Sequence, residues 1–152
     1  MIAIIPDILL LFFSFLMLAF KLFLTQAQTA HKNFAFAYLF ILLICQNFVL
    51  IGDTQVYFSN WQIDTFGIFM REIFTLSALL ALLLSENYFK HSMSEKPRLL
   101  HFSEFAASIG FATFGGVVVV SANDLLTLFL GLELATIPMY ALVAWNKRDS
   151  EG

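Results

Sequence analysis

The chain has 152 residues, 60% of them hydrophobic and 12% charged, with a mean hydropathy of +0.83. A soluble domain is about 45–50% apolar and about 25% charged, so the composition places this chain among membrane proteins. A net charge of −3 without a dense basic cluster excludes nucleic-acid binding, and a single cysteine, Cys45, excludes an internal disulfide and any cluster that needs about four thiolates.

The opening, MIAIIPDILLLFFSFLMLAF, has the hydropathy of a signal peptide but not its grammar. It lacks a basic leading region, Asp7 precedes the apolar run, and no small-residue cleavage site follows. It reads as a retained first span, Ile4 to Leu24. Pro6 suits a first helical turn, where its missing N–H is harmless, and Lys21 is placed to snorkel from the far end. After the polar stretch TQAQTAHKN, the second span runs from Phe34 to Ile51 without a charge. It contains Cys45, which reads as a small apolar packer. The linker GDTQVYFSNWQID follows, and its Tyr57 and Trp61 suit a membrane–water interface.

The third span, Phe66 to Leu84, carries Arg71 and Glu72 near its start. Neighbouring residues do not face each other on a helix, so these two are not a simple pair. The plain expectation is that Arg71 reaches the headgroups on its own side; the alternative is a contact with another helix or subunit. A charged linker comes next, in which Pro97 is expected to end any helical run. The fourth span is Phe102 to Val120. Ala106 with Gly110, and Ala112 with Gly116, each place two small residues four apart, a spacing that lets helices approach closely. The turn Ser121-Ala-Asn-Asp is short, and Asn123 or Asp124 can cap the helix after it. Spans four and five are therefore expected to form a tight hairpin, after which the sequence reads NKRDSEG.

With five spans, the loops after the first and third and the C-terminus share one side. That side holds Lys21, Lys32, Lys90, Lys96, Arg98, Lys147 and Arg148, seven of the eight basic residues. Basic residues favour the cytoplasmic face, so the expected topology has the N-terminus outside and the C-terminus inside. The fold class is all-α: a polytopic membrane protein of five transmembrane helices.

The fifth span, Leu125 to Trp145, is 21 residues long with one charge, Glu133. At 1.5 Å per residue it is about 31 Å long, close to a bilayer's hydrocarbon thickness. Glu133 lies two residues from its midpoint. A carboxylate there costs about 2.5 kcal/mol or more to insert, which makes an intramembrane acid a functional candidate. Pro138 cannot donate to the carbonyl of Leu134 and crowds it, and a freed carbonyl beside the acid can hold water where the site faces protein or a wet cavity. Desolvation favours the protonated acid and a nearby cation the carboxylate. A site balanced between the two can relay protons. The other reading is a neutral Glu133 that hydrogen-bonds between helices. His31, His91 and His101 fall in loops at spacings that fit no metal site and read as solvated. Gly115-Gly116 lies inside a span and is not a nucleotide loop, and the 19 Phe residues read as lipid-facing and packing surface.

The run SANDLLTLFLGLELATIPMYAL with the basic turn NKRDS resembles subunit N of bacterial NADH-quinone oxidoreductase, respiratory complex I. A weaker likeness lies in IDTFGIF, Ile63 to Phe69, which is similar to the start of that family's third helix; the first two spans match in hydropathy only. The resemblance implies an antiporter-like fold of thirteen or fourteen helices with two inverted five-helix repeats. Residues 1–101 would be the three leading helices, and residues 102–152 the hairpin that opens the first repeat. It also implies that Glu133 takes part in proton translocation, paired with a lysine on a broken seventh helix that this sequence does not contain. The chain would then be a piece of a longer subunit, or the product of a gene split after the fifth helix, with no activity alone. Its partners would be the other membrane-arm subunits, the lipid bilayer, protons and water. NADH, FMN, Fe–S clusters and quinone would be handled by other subunits, and the site would be the bacterial inner membrane. Two other readings stand beside this one: a related antiporter-like subunit, of complex I or of a cation/proton antiporter, and a small five-span structural or assembly protein.

Overall fold

The computed structural model describes residues 4–23, 28–49, 55–58, 60–92 and 95–146, with side chains over 4–19, 33–42, 44, 60–85, 102–141 and 143. Five helices follow one another: α1 (Ile5–Phe23), α2 (Gln28–Val49), α3 (Thr65–Ser92), α4 (Glu95–Ser121) and α5 (Leu125–Asn146). The regular structure of the described residues is helical apart from a small antiparallel hairpin, β1 (Gln55–Phe58) and β2 (Trp61–Ile63), between α2 and α3.

The helices sit where the apolar runs predict them, with ends that differ for local reasons. Pro97 does not end a helical run; it sits in the first turn of α4, where its missing N–H breaks no intrahelical bond. Asp64 starts α3. Its carboxylate accepts from Gly67 N at 2.6 Å and its carbonyl from Ile68 N at 3.0 Å, so the orphan donors of the first turn are met. The linker before it is more than a spacer. Gln55 pairs with Ile63 and Val56 with Gln62, and the register shifts before Phe58 meets Trp61.

α4 is the central helix, with α1, α3 and α5 packed around it. Leu10, Phe13 and Met17 of α1 recur at helical spacing and are fully buried, so one stripe of α1 faces the core. Ala35, Leu39 and Leu42 do the same for α2, and Ala78 and Leu82 for α3. Tyr38 stacks on Phe13 at 5.1 Å between centroids and donates its hydroxyl to the Leu9 carbonyl at 2.7 Å. Between helices and lipid there is little hydrophobic drive, so close approach rests on small residues. Gly110 fits against Phe13 and Ser14 of α1, and Gly116 against the Phe74 ring of α3, where an added Cβ would meet ring carbons at 3.1 Å. The two small-residue pairs read from the sequence thus serve two different neighbours.

The outward faces are as apolar as the core. Ile8, Phe12 and Phe15 of α1, Phe40 and Ile41 of α2, and Phe66, Phe69 and Leu84 of α3 are all exposed. Soluble monomers rarely expose apolar surface on this scale, and such a perimeter is what lipid would cover. Among the described residues two helices have the length and composition to cross a membrane, Thr65–Ser85 and Phe102–Ser121; Ile5–Ala19, Asn33–Leu42 and Leu125–Ala141 are shorter apolar helices.

Candidate functional site

α5 lies flat against α4 because both helices present glycine at their crossing. A Cβ on Gly115 would meet the Ala135 backbone, with Cα at 2.7 Å, and one on Gly131 would meet Val119 N at 2.8 Å. Among the described side chains of α5 only Thr127 and Gly131 are buried, while Leu134, Ala135 and Pro138 are half-buried. These positions recur at helical spacing and form one stripe. Glu133 is two residues from both Gly131 and Ala135, about 200° around the helix. It therefore points away from α4 and is exposed, among Leu126, Phe129, Leu130, Ile137 and Tyr140, which are exposed as well.

The N-terminal end of α5 is fixed by a cap. Asp124 accepts from Thr127 N at 2.7 Å through one carboxylate oxygen and from the Thr127 hydroxyl at 3.0 Å through the other. Of the two capping candidates it is Asp124 that serves, and Asn123 instead donates its N–H to the Asn60 carbonyl at 3.1 Å. Asn60 Nδ2 reaches the Thr127 hydroxyl at 3.4 Å, and Trp61 forms a bridge with Ala122. The β-hairpin therefore rests on the α4–α5 turn. Trp61 packs half-buried against the core. Deeper in α5 the helix runs unbroken through Pro138. The Thr136 hydroxyl donates to the carbonyls of Leu132 at 3.0 Å and Glu133 at 3.3 Å.

Arg71 does not snorkel to the headgroups. It is 3% exposed and forms an ion pair at 3.3 Å with Asp7 of α1, which is 3% exposed too. The guanidinium also donates to the Ser121 hydroxyl on the last residue of α4, and that hydroxyl donates to the Val117 carbonyl at 2.7 Å. The Thr75 hydroxyl donates to the Arg71 carbonyl at 2.9 Å. The contact with another helix, the less favoured reading of Arg71, is the one that forms. Its partner gave no signal in the sequence beyond being an acid beside the first apolar run. Glu72 keeps one carboxylate oxygen buried without a hydrogen-bond partner among the described residues. Arg71 and Glu133 belong to different places: one is at the Ser121 end of α4, the other eight residues into α5, about 12 Å along its axis. His31, His91 and His101 do not fall in loops: α2, α3 and α4 extend beyond the apolar runs and include them. Their side chains, with those of Cys45, Tyr57 and the seven other basic residues, lie outside the described ones.

No family model matches the chain. Over 129 residues, 83% of the chain, it is 36% identical to NADH-quinone oxidoreductase subunit N of Heliobacterium modesticaldum, of which the match covers 26%. The chain is homologous to subunit N of NADH-quinone oxidoreductase. Subunit N of Trichlorobacter lovleyi is 41% identical over 100 residues, 65% of the chain and 19% of that protein. NAD(P)H-quinone oxidoreductase subunit 2 of the chloroplast of Chlorokybus atmophyticus is 32% identical over 112 residues, 70% of the chain and 21% of that protein. The chain thus spans about a quarter or less of the length of these relatives.

Proposed function

We propose that this subunit N homologue is the leading part of a membrane-arm subunit of a proton-pumping NADH:quinone oxidoreductase, with Glu133 as a proton-exchanging group. In this reading all five helices cross the bacterial inner membrane, with the N-terminus outside and the C-terminus in the cytoplasm. Residues 1–101 are leading helices and residues 102–152 open the first antiporter-like repeat. NADH oxidation and quinone reduction, with FMN and Fe–S clusters, belong to other subunits. This chain holds no cofactor and has no activity by itself. Its partners are the other membrane-arm subunits, lipid, water and protons.

The observation that carries the reading is the position of Glu133. It lies midway along an apolar helix, on the face turned away from α4, with open space beside it. A side chain that only bridged helices within this bundle would face α4, the helix against which α5 packs among the described residues. A cation brought against the open face would favour the carboxylate, and its withdrawal the acid. That alternation is the elementary step of a relay. The test is Glu133→Gln in the assembled complex, which removes the titrating proton and keeps size and polarity. Proton uptake in sealed vesicles should fall several-fold while the amount of complex stays normal. Unchanged proton output at normal complex levels would sink the relay role.

A further inference from the structure

Asp7, Arg71 and Ser121 come from three helices and meet at one end of the bundle. Two charges are almost wholly withdrawn from solvent there. Arg71 is the seventh residue of α3, near enough to the helix end for its long side chain to reach the interface. It turns inward instead, to Asp7 of α1 and to the Ser121 hydroxyl of α4. Arg71 is the one described polar contact of the Asp7 carboxylate. An intramembrane pair of this kind is a functional candidate, and the surrounding packing indicates what it does.

Among the described residues, much of the surface that holds α1 and α3 on α4 is apolar. Phe13 and Ser14 lie over Gly110, and Phe74 lies over Gly116. In a bilayer such surfaces gain little over lipid contact, so a helix that slides by one turn, about 5.4 Å, trades one apolar contact for another. A charge and a hydroxyl do not tolerate that slide, because the displaced groups would be left unpaired in a low-dielectric interior. Buried polar pairs that fix register rather than add stability are the best-attested use of such groups. Ser121 sits at a decisive place: it ends α4, and only three residues separate it from α5. The turn between them is tied to the β-hairpin that leads into α3 through the Asn123–Asn60 and Trp61–Ala122 backbone contacts.

We propose that Asp7, Arg71 and Ser121 form a positioning site, which fixes how far α1 and α3 reach along α4 and thereby sets the depth of Glu133 on α5. The last link rests on the proton-exchange reading of Glu133; the register itself does not. Arg71 touches no reacting proton and acts through α4.

The test uses the assembled complex and a reporter for register. Cysteines at Asn60 and Thr127, whose polar atoms lie 3.4 Å apart, join α3's approach to the first turn of α5. Cys45→Ala removes the native thiol. Disulfide yield under mild oxidation is compared in Arg71→Lys, in Arg71→Met, and in the double variant Asp7→Leu with Arg71→Met. The lysine variant should keep most of the yield. The double variant removes both charges, so it should accumulate as complex at near-normal levels and still lose several-fold in disulfide yield. Proton output per NADH should fall with it when measured without the cysteine pair. Normal yield in the double variant overturns the proposal, because the pair would then only stabilise. Failure of the double variant to accumulate also overturns it, because the pair would then hold the fold together. Reduced yield with unchanged proton output upholds the register and removes the link to Glu133; Glu133→Gln, which leaves the pair intact, tests that reading separately.

Discussion

On the side of α4 that faces α1 and α3, the contact is made by side chains and closed at one end by charge: Phe13 and Ser14 over Gly110, Phe74 over Gly116, and Arg71 between Asp7 and Ser121. On the side that faces α5 the contact is backbone on backbone, through Gly115 and Gly131. The first kind of interface can adjust, because side chains change rotamer, and so it needs a polar group to choose one register. The second cannot adjust, because two backbones in contact have no soft atoms between them. α5 is thereby held rigidly on one face while its other face, with Glu133 in it, stays uncovered within the described residues. In the proposed relay role Glu133 would benefit from this arrangement: a clamped helix would hold its position while the charge changes, and the open face would admit whatever approaches it.

The sharpest way to break the comparison is to place the same branched side chain on each interface. Gly115→Val drives two methyl groups into the Ala135 backbone, and overpacking costs about 1–3 kcal/mol or more where nothing can yield. Loss of most assembled complex on native gels is expected, with the residue retaining little proton output. Gly116→Val meets only the Phe74 ring at 3.1 Å, which can swing aside, so its effect should be clearly smaller. It should also be relieved by Phe74→Leu, while no side-chain change on α5 should relieve Gly115→Val. Equal losses at the two glycines would erase the distinction drawn between the two interfaces.

That contrast also explains what could be read in advance. Helix positions were legible, because runs of about 20 apolar residues leave few alternatives. Helix faces were not. A span that meets lipid on one side and protein on the other is apolar all round, so hydrophobic periodicity is silent. Small residues carried what signal there was. They marked α4 as the crowded helix through Gly110 and Gly116, yet Gly115, read with its neighbour only as no nucleotide motif, makes the tightest approach to another helix's backbone among the described glycines. The Asp7–Arg71 pair was illegible because its partners are 64 positions apart and each had a local explanation: Asp7 as a departure from signal-peptide grammar, Arg71 as a snorkelling side chain. The β-hairpin left a trace in the alternation of Gln55 to Phe58 and Trp61 to Ile63 around Ser59-Asn60, but the strands are four and three residues long, shorter than the usual five or six. Glu133 was legible as a lone acid in an apolar helix; the direction it faces was not, since that follows from the Gly115 contact.

The smallest expected effect lies at the turn between the two interfaces and sharpens the comparison by leaving both intact. Asp124 bonds the Thr127 N–H and hydroxyl at once, so Asp124→Ala frees two donors in the first turn of α5 without touching Gly115, Gly131 or Arg71. An N-cap is worth about 1 kcal/mol, which corresponds to a roughly five-fold rise in hydrogen exchange at the Thr127 amide. Asp124→Asn keeps one acceptor oxygen, for the Thr127 N–H, and should lie between Asp124→Ala and wild type, losing the acceptor of the Thr127 hydroxyl and the charge on the positive end of the helix dipole. The fraying should stop within the first turn, because the contact of Gly131 with Val119 and of Ala135 with Gly115 holds the helix beyond it. Exchange that spreads past Gly131 in Asp124→Ala would mean that the glycine contacts do not clamp α5 independently of its cap, and that the depth of Glu133 depends on the turn as much as on the crossing.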